Sequence, residues 1–190
     1  GTLRDIFIFY AGYNNAEAPG GYIHPARLYL LYGIPIGEWG GGLLMAAAYT
    51  SELKGAAGTT MAGIGTFCHE FGHILGWPDF YDTDYDQNET GFNLDIFSLM
   101  ASGSYVNEGR TPPALSAYER YMVGWMELQE LSEAGEYKLE PVYENNGYLV
   151  KTANEGEVFI LEYRNGNINT WDKFLATGNN RNSFPASGPG

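Results

Sequence analysis

Two histidines four residues apart with a glutamate beside the first are the residues best placed to do chemistry in this chain of 190 residues. They lie in the run Cys68-His69-Glu70-Phe71-Gly72-His73. On a helix, positions i and i+4 share a face with Cβ atoms roughly 6 Å apart. Two imidazoles so placed can converge on one ion at about 2.0–2.1 Å each, and neutral imidazole nitrogen suits zinc. Glu70, turned about 100° from His69, can reach a water on that ion and take its proton without itself ligating. A catalytic tetrahedral zinc needs a third protein ligand and one open position. Gly76 permits a sharp reversal just past His73, which can return Asp79 to the same ion. Asp82 is its nearest rival, and Glu119 another, because one class of zinc site takes its third ligand from a glutamate on a later helix.

The elements that must carry these groups are partly legible. Ile64, Phe67, Cys68, Phe71, Ile74 and Leu75 form one apolar stripe at helical spacing, closed by Gly76 and Pro78. Cys68 falls on that stripe and reads as a buried, inert thiol. Residues 3–11 are an apolar, β-branched and aromatic run, expected as a strand covered on both faces. Residues 12–42 show Gly clusters and little periodicity and are expected to be mostly irregular. His24, in Tyr22-Ile23-His24-Pro25, reads as structural or loop-exposed. Met45-Ala46-Ala47-Ala48 also suits a helix, but Leu43 to Leu53 is expected as a strand, since Gly40-Gly41-Gly42 precedes it and no N-cap does. If that strand is a sheet edge, it would hold an extended substrate by strand addition. A second helix is expected from about Pro112 to Val123, with Leu115, Tyr118, Tyr121 and Met122 on one side. Beyond Gly135 the runs 137–139, 148–150 and 158–161, separated by Asn-Asn-Gly and Asn-Gly, predict a small antiparallel sheet.

Residues 69–79 together read HEFGHILGWPD, or HExxHxxGxxD. This frame resembles the extended zinc motif of the metzincin clan, with aspartate where most members have a third histidine. HEFGHILGWPDFYDTDY as a whole is similar to the immune inhibitor A family of secreted bacterial metalloproteases. Residues 95–104 (DIFSLMASGS) resemble the segment that lays a methionine, here Met100, under the metal. Residues 113–125 resemble the helix that follows it, and 159–164 with Trp171-Asp172-Lys173 the downstream β region. The resemblance implies a zinc-dependent endopeptidase acting on protein or peptide substrates, made as a secreted precursor with an inhibitory propeptide. It also implies that Tyr105 could donate a hydrogen bond to the oxyanion, as a tyrosine does in some metzincins. The expected architecture is α+β: a metzincin-like catalytic domain over residues 1–128, with a mixed twisted sheet, an active-site helix and a C-terminal helix. Residues 129–190 are expected to be a truncated β-rich portion, since both ends of the chain read as cut from a longer precursor.

Composition narrows the alternatives. Ten Lys and Arg against 23 Asp and Glu give a net charge of −13, which repels phosphate backbones and anionic lipid and excludes nucleic-acid binding. No apolar run reaches the roughly 18 residues of a membrane span. A single cysteine excludes an internal disulfide framework and a multi-cysteine metal site. Hydrophobic residues at 44% leave ample material for a core. Asp79, Asp82, Asp84, Asp86 and Glu89 form an acidic loop. Gln87 and Asn93 at the sixth and twelfth positions counted from Asp82 reject an EF-hand, and a looser Ca2+ site stays open beside a solvated loop. The rival to the protease is a catalytically inactive, metal-holding binding or adhesion module, against which the intact Glu70 argues.

Overall fold

The computed structural model describes residues 5–18, 20–35, 43–83 and 94–175. Three strands come first: β1 (Asp5–Tyr10), β2 (Ala26–Pro35) and β3 (Leu43–Ser51). They form one sheet in the order β1-β3-β2. β1 runs parallel to β3, from Asp5 opposite Ala46 to Tyr10 opposite Ser51, and β2 runs antiparallel to β3. β3 is therefore central, so the condition on which it would hold substrate by strand addition is not met. Its Ala46, Ala47 and Ala48 are buried, as suits a strand with neighbours on both sides and a helix against it.

The expectation of irregular chain over 12–42 is also corrected, because β2 lies within it. The Leu28-Tyr29-Leu30-Leu31-Tyr32 run has no alternation to announce a strand. β2 is bordered by β3 alone among the described residues, and its Leu28, Tyr29 and Ile34 are exposed. The register shifts between Tyr29 and Ile34, where Gly33 takes φ +64. A Cβ there would stand 3.0 Å from both Leu43 Cβ and Met45 Sδ, so this irregularity requires glycine.

Helix α1 (Ile64–Leu75) packs on β3 and β2. Its first turn is spliced into the loop that follows the metal-site segment. Gly65 N donates to Gly109 O at 2.8 Å, and a Cβ on Gly65 would sit 1.7 Å from Ser104 O. Gly76 ends α1 in the left-handed conformation at φ 112, and Trp77 N donates back to Gly72 O. Short 3-10 turns follow at Asp95–Phe97 and Ser102–Tyr105.

The second helix, α2 (Ala117–Met122), starts five residues later than Pro112. Ser116 and Glu119 form a capping box, each side chain accepting from the other's backbone N–H, and this sets the start. The adjacent Pro112 and Pro113 keep the preceding chain extended.

In the C-terminal part, β5 (Tyr148–Lys151) and β6 (Val158–Leu161) pair antiparallel as expected. Residues 137–139 are not a strand. Instead β4 (Gln129–Glu130) runs parallel to β5, making this sheet mixed. One core cluster joins Trp77, Leu99 and Met100, and a second joins Ala117, Met126 and Val142. Arg164 ties the two regions by donating to Phe97 O and Ala114 O while pairing with Glu162 and the buried Asp172. No helix among the described residues is long and apolar enough to cross a membrane.

Candidate metal centre

α1 presents His69 and His73 on one face, both buried, with ring centroids 4.8 Å apart. The reversal at Gly76 returns Asp79 to them. Asp79 Oδ1 lies 3.1 Å from His69 Nε2 and 3.3 Å from His73 Nε2. His69, His73 and Asp79 each offer a ligand atom within 4.8 Å of the others, and no other such group of three occurs among the described residues.

The other ring nitrogens decide what this corner can hold. His69 Nδ1 lies 3.0 Å from Leu99 O, and His73 Nδ1 lies 2.8 Å from Trp77 O. A carbonyl only accepts, so each Nδ1 carries the proton and each neutral ring turns an Nε2 lone pair towards Asp79. Asp79 Oδ1, in turn, is buried with no hydrogen-bond donor aligned on it. Three acceptors thus face one point, an arrangement that needs a cation. Ligands at about 2.0–2.1 Å from a tetrahedral zinc lie about 3.3–3.4 Å from each other, which the two N···O distances match within a few tenths of an ångström. The donor set of two nitrogens and one carboxylate oxygen fits zinc.

Protons substitute for the ion when the corner is metal-free. Burial opposes charge on both His69 and Asp79, and their attraction prevails. His69 is raised above its ordinary value by Asp79 and the Leu99 carbonyl, and Asp79 is held well below the usual carboxylate range by the two histidines.

Glu70 is 8% exposed and projects beside this corner into a cleft of about 440 Å³, which His24, Thr66, Asp82, Ser104 and Tyr105 also line. Burial pushes the Glu70 carboxyl up, against the pull of His69 and His73. A raised carboxyl suits a group that must take a proton and give it back.

The remaining sequence candidates separate clearly. Tyr105 is half-buried in the same cleft as Glu70. Asp82 lines the cleft but does not join the three-residue cluster. Glu119 is fully buried elsewhere, accepting from Ser98 Oγ, Met100 N and Ser116 N. Met100 is fully buried beneath α1, so close that a Cβ on Gly72 would meet its Sδ at 2.7 Å. Cys68 is half-buried against the apolar side of α1, where burial raises its thiol. The acidic loop from Asp84 onward lies outside the described residues, and nothing among those described supports Ca2+.

Comparison with known proteins meets this geometry at one place. Residues 36–129 match the immune inhibitor A peptidase M6 catalytic domain. The M6 match spans the whole metal corner, α1 and α2, and bears out the resemblance read from HEFGHILGWPD. Two Vibrio cholerae serotype O1 proteins, each named pre-pro-metalloprotease PrtV, are 35% identical over 79 residues, 37% of this chain and 8% of theirs. Immune inhibitor A of Bacillus thuringiensis subsp. alesti is 37% identical over 78 residues, 40% of this chain and 10% of its own length. The aligned part is thus a tenth or less of these relatives. The M6 match makes the chain similar to metallopeptidases, in which a metal is implied.

His24 is loop-exposed as read from the sequence, but its place in the cleft and the buried setting of Glu119 were not anticipated. His24 is exposed, with Nδ1 2.5 Å from Asn15 Oδ1, and its place in the cleft depends on the unforeseen β2. Glu119 had a local signal, the Ser-x-x-Glu spacing from Ser116, which marks a helix start.

Proposed function

We propose that this chain carries the catalytic centre of a zinc-dependent endopeptidase, with His69, His73 and Asp79 holding the metal. The convergence of two Nε2 lone pairs and an undonated carboxylate oxygen supports this reading above all else. Zinc in such a setting supplies Lewis acidity, bringing the pKa of its water towards about 7 and polarising a carbonyl. Glu70 acts as general base, taking a proton at its carboxylate and delivering it to the leaving amine. Tyr105, in the same cleft, donates a hydrogen bond to the developing oxyanion. An extended peptide pairs along the outer edge of β2, where backbone hydrogen bonds supply affinity and the cleft supplies preference.

The wider reading belongs to the same proposal. Residues 1–128 form a metzincin-like catalytic domain with Met100 beneath the metal, and 129–190 the β-rich C-terminal portion. The protein is secreted, and the pre-pro designation of the Vibrio relatives supports an inhibitory propeptide.

Metal analysis of protein purified without added metal tests this directly. One zinc per chain and chelator-sensitive digestion of gelatin are expected. Glu70→Gln should keep the zinc and lose about two to four orders of magnitude in rate. Calcium alone in the protein, or wild-type digestion by the variant, would refute the assignment.

A further inference from the structure

Glu119 is the one completely buried acid of α2, and the proposed mechanism does not use it. Its contacts reach the chain neighbours of Leu99 and the indole of Trp77, the two residues whose carbonyls face the histidines. Oε1 accepts from Ser98 Oγ at 2.7 Å and from Met100 N at 3.3 Å. These residues flank Leu99, whose carbonyl faces His69 Nδ1. The Glu119 backbone carbonyl accepts Trp77 Nε1 at 2.6 Å, and the carbonyl of that same Trp77 faces His73 Nδ1. Oε2 accepts from Ser116 N at 2.6 Å, while Ser116 Oγ accepts Glu119 N, fixing the residue at the first turn of α2. Met100 N also donates to Ser98 Oγ at 3.0 Å, closing a ring about the carboxylate.

We propose that Glu119 is a positioning residue for the metal corner, its carboxylate holding the Ser98–Met100 segment and its carbonyl the Trp77 indole, so that Leu99 O and Trp77 O orient His69 and His73. This rests on the metal reading above and adds to it a source for the orientation. Ligating histidines depend on such partners for tautomer and ring direction, and losing an outer partner typically costs 10–100-fold in metal affinity. The donors around the side chain are two backbone N–H groups and a hydroxyl, so the site demands acceptors on both oxygens. Glutamine can satisfy one side only. Its amide NH2 would then face either Ser116 N–H or the Met100 and Ser98 donors.

The experiment compares Glu119→Gln, Ser98→Ala and Ser116→Ala in the full chain. Zinc affinity is read by chelator competition, thermal midpoint by circular dichroism, and His69 and His73 tautomers by 15N chemical shifts in metal-free protein. Glu119→Gln should weaken zinc about 10–100-fold and shift the imidazole 15N signals away from the Nδ1–H form. Ser98→Ala, which removes one donor and leaves the helix start intact, should move both readouts in the same direction and less. Ser116→Ala loses the cap at about 1 kcal/mol of stability but keeps the Glu119 side chain on Met100, so zinc affinity should stay within twofold. Unchanged affinity and tautomers in both Glu119→Gln and Ser98→Ala would overturn the proposal. So would a loss in Ser116→Ala equal to that in Glu119→Gln, since general destabilisation would then suffice. Wild-type protein that takes up no zinc would refute the metal assignment instead, while the tautomer shifts would still decide the role of Glu119.

Discussion

Asp79 and Glu119 each turn a buried carboxylate oxygen inwards, and what meets those oxygens is opposite. Glu119 is fully buried and every contact to its oxygens is a donor: a hydroxyl and two backbone N–H groups. Asp79 Oδ1 meets only the ring nitrogens whose protons are committed to the far side, to Leu99 O and Trp77 O. A fold that can satisfy one buried carboxylate so fully does not leave a second buried carboxylate oxygen unsatisfied by lack of means. The difference separates a carboxylate that organises the chain from one kept for a ligand the chain itself does not contain.

The two acids should therefore fail in opposite ways, and this is the largest contrast available. Asp79→Ala should weaken zinc by more than the roughly 100-fold that bounds an outer-sphere loss, because it removes a ligand outright. In chelator, at a pH above the raised folded pKa of His69, the same variant should melt no lower than wild type, since no proton then joins that ring to the carboxylate oxygen. Glu119→Ala should melt much lower with or without metal, because it strands buried donors at about 1–3 kcal/mol each. Metal-free Asp79→Ala melting many degrees below wild type would show that Asp79 is an internal strut like Glu119.

The next largest effect follows pH. Metal-free, His69 has its folded pKa raised above the ordinary 6.5 because Asp79 and the Leu99 carbonyl outweigh burial. That contribution to stability is complete below 6.5 and is lost as pH rises through the folded value. Asp79 is shifted downward from 3.8, so its contribution is present above 3.8 and is lost as pH falls through its folded value. The metal-free chain thus gains most from this pair on the acid side of neutrality. Zinc must displace the proton, so its apparent affinity should rise about tenfold per pH unit while one proton is released. The gap between zinc-loaded and chelator-treated melting midpoints should accordingly widen from pH 5.5 to pH 8. A gap independent of pH would mean that the metal binds without using these nitrogens.

The corner was readable and its supports were not, for reasons that lie in chain distance. His69, His73 and the turn to Asp79 sit within eleven residues, so helical spacing and Gly76 alone bring the three together. β3 announced itself through the preceding glycines and the missing N-cap, and α1 through an apolar stripe. β2 did not, because an exposed edge strand with a bulge at Gly33 carries no clean period. Strand order was equally hidden: that β3 is flanked on both sides depends on pairing across 41 residues to β1 as well as 8 to 23 residues to β2. Glu119 looked like a rival ligand because a carboxylate downstream of HExxH can be one. Its capture by Ser98 and Met100, some 20 residues upstream, depends on packing that no local spacing records.

Gly72 is where the two regions press on each other, and its effect should be the smallest of these. It stands in α1 between the ligating histidines, where glycine is about 1 kcal/mol poorer than alanine for helix formation. A Cβ added there would lie 2.7 Å from Met100 Sδ and 2.9 Å from Trp77 Cε3. Met100 can bend away through its flexible thioether, but the Trp77 ring is anchored by its indole N–H on Glu119 O. Overpacking of about 1–3 kcal/mol should outweigh the helix gain, leaving Gly72→Ala up to about 2 kcal/mol less stable. Because the push falls on Trp77, whose carbonyl orients His73, zinc affinity should fall too, by less than in Asp79→Ala. Thermal melts and chelator competition on this one variant measure both. A Gly72→Ala protein that melts at or above wild type with its zinc affinity intact would show slack between Met100 and Trp77, and the coupling from α2 to His73 would then have no rigid path.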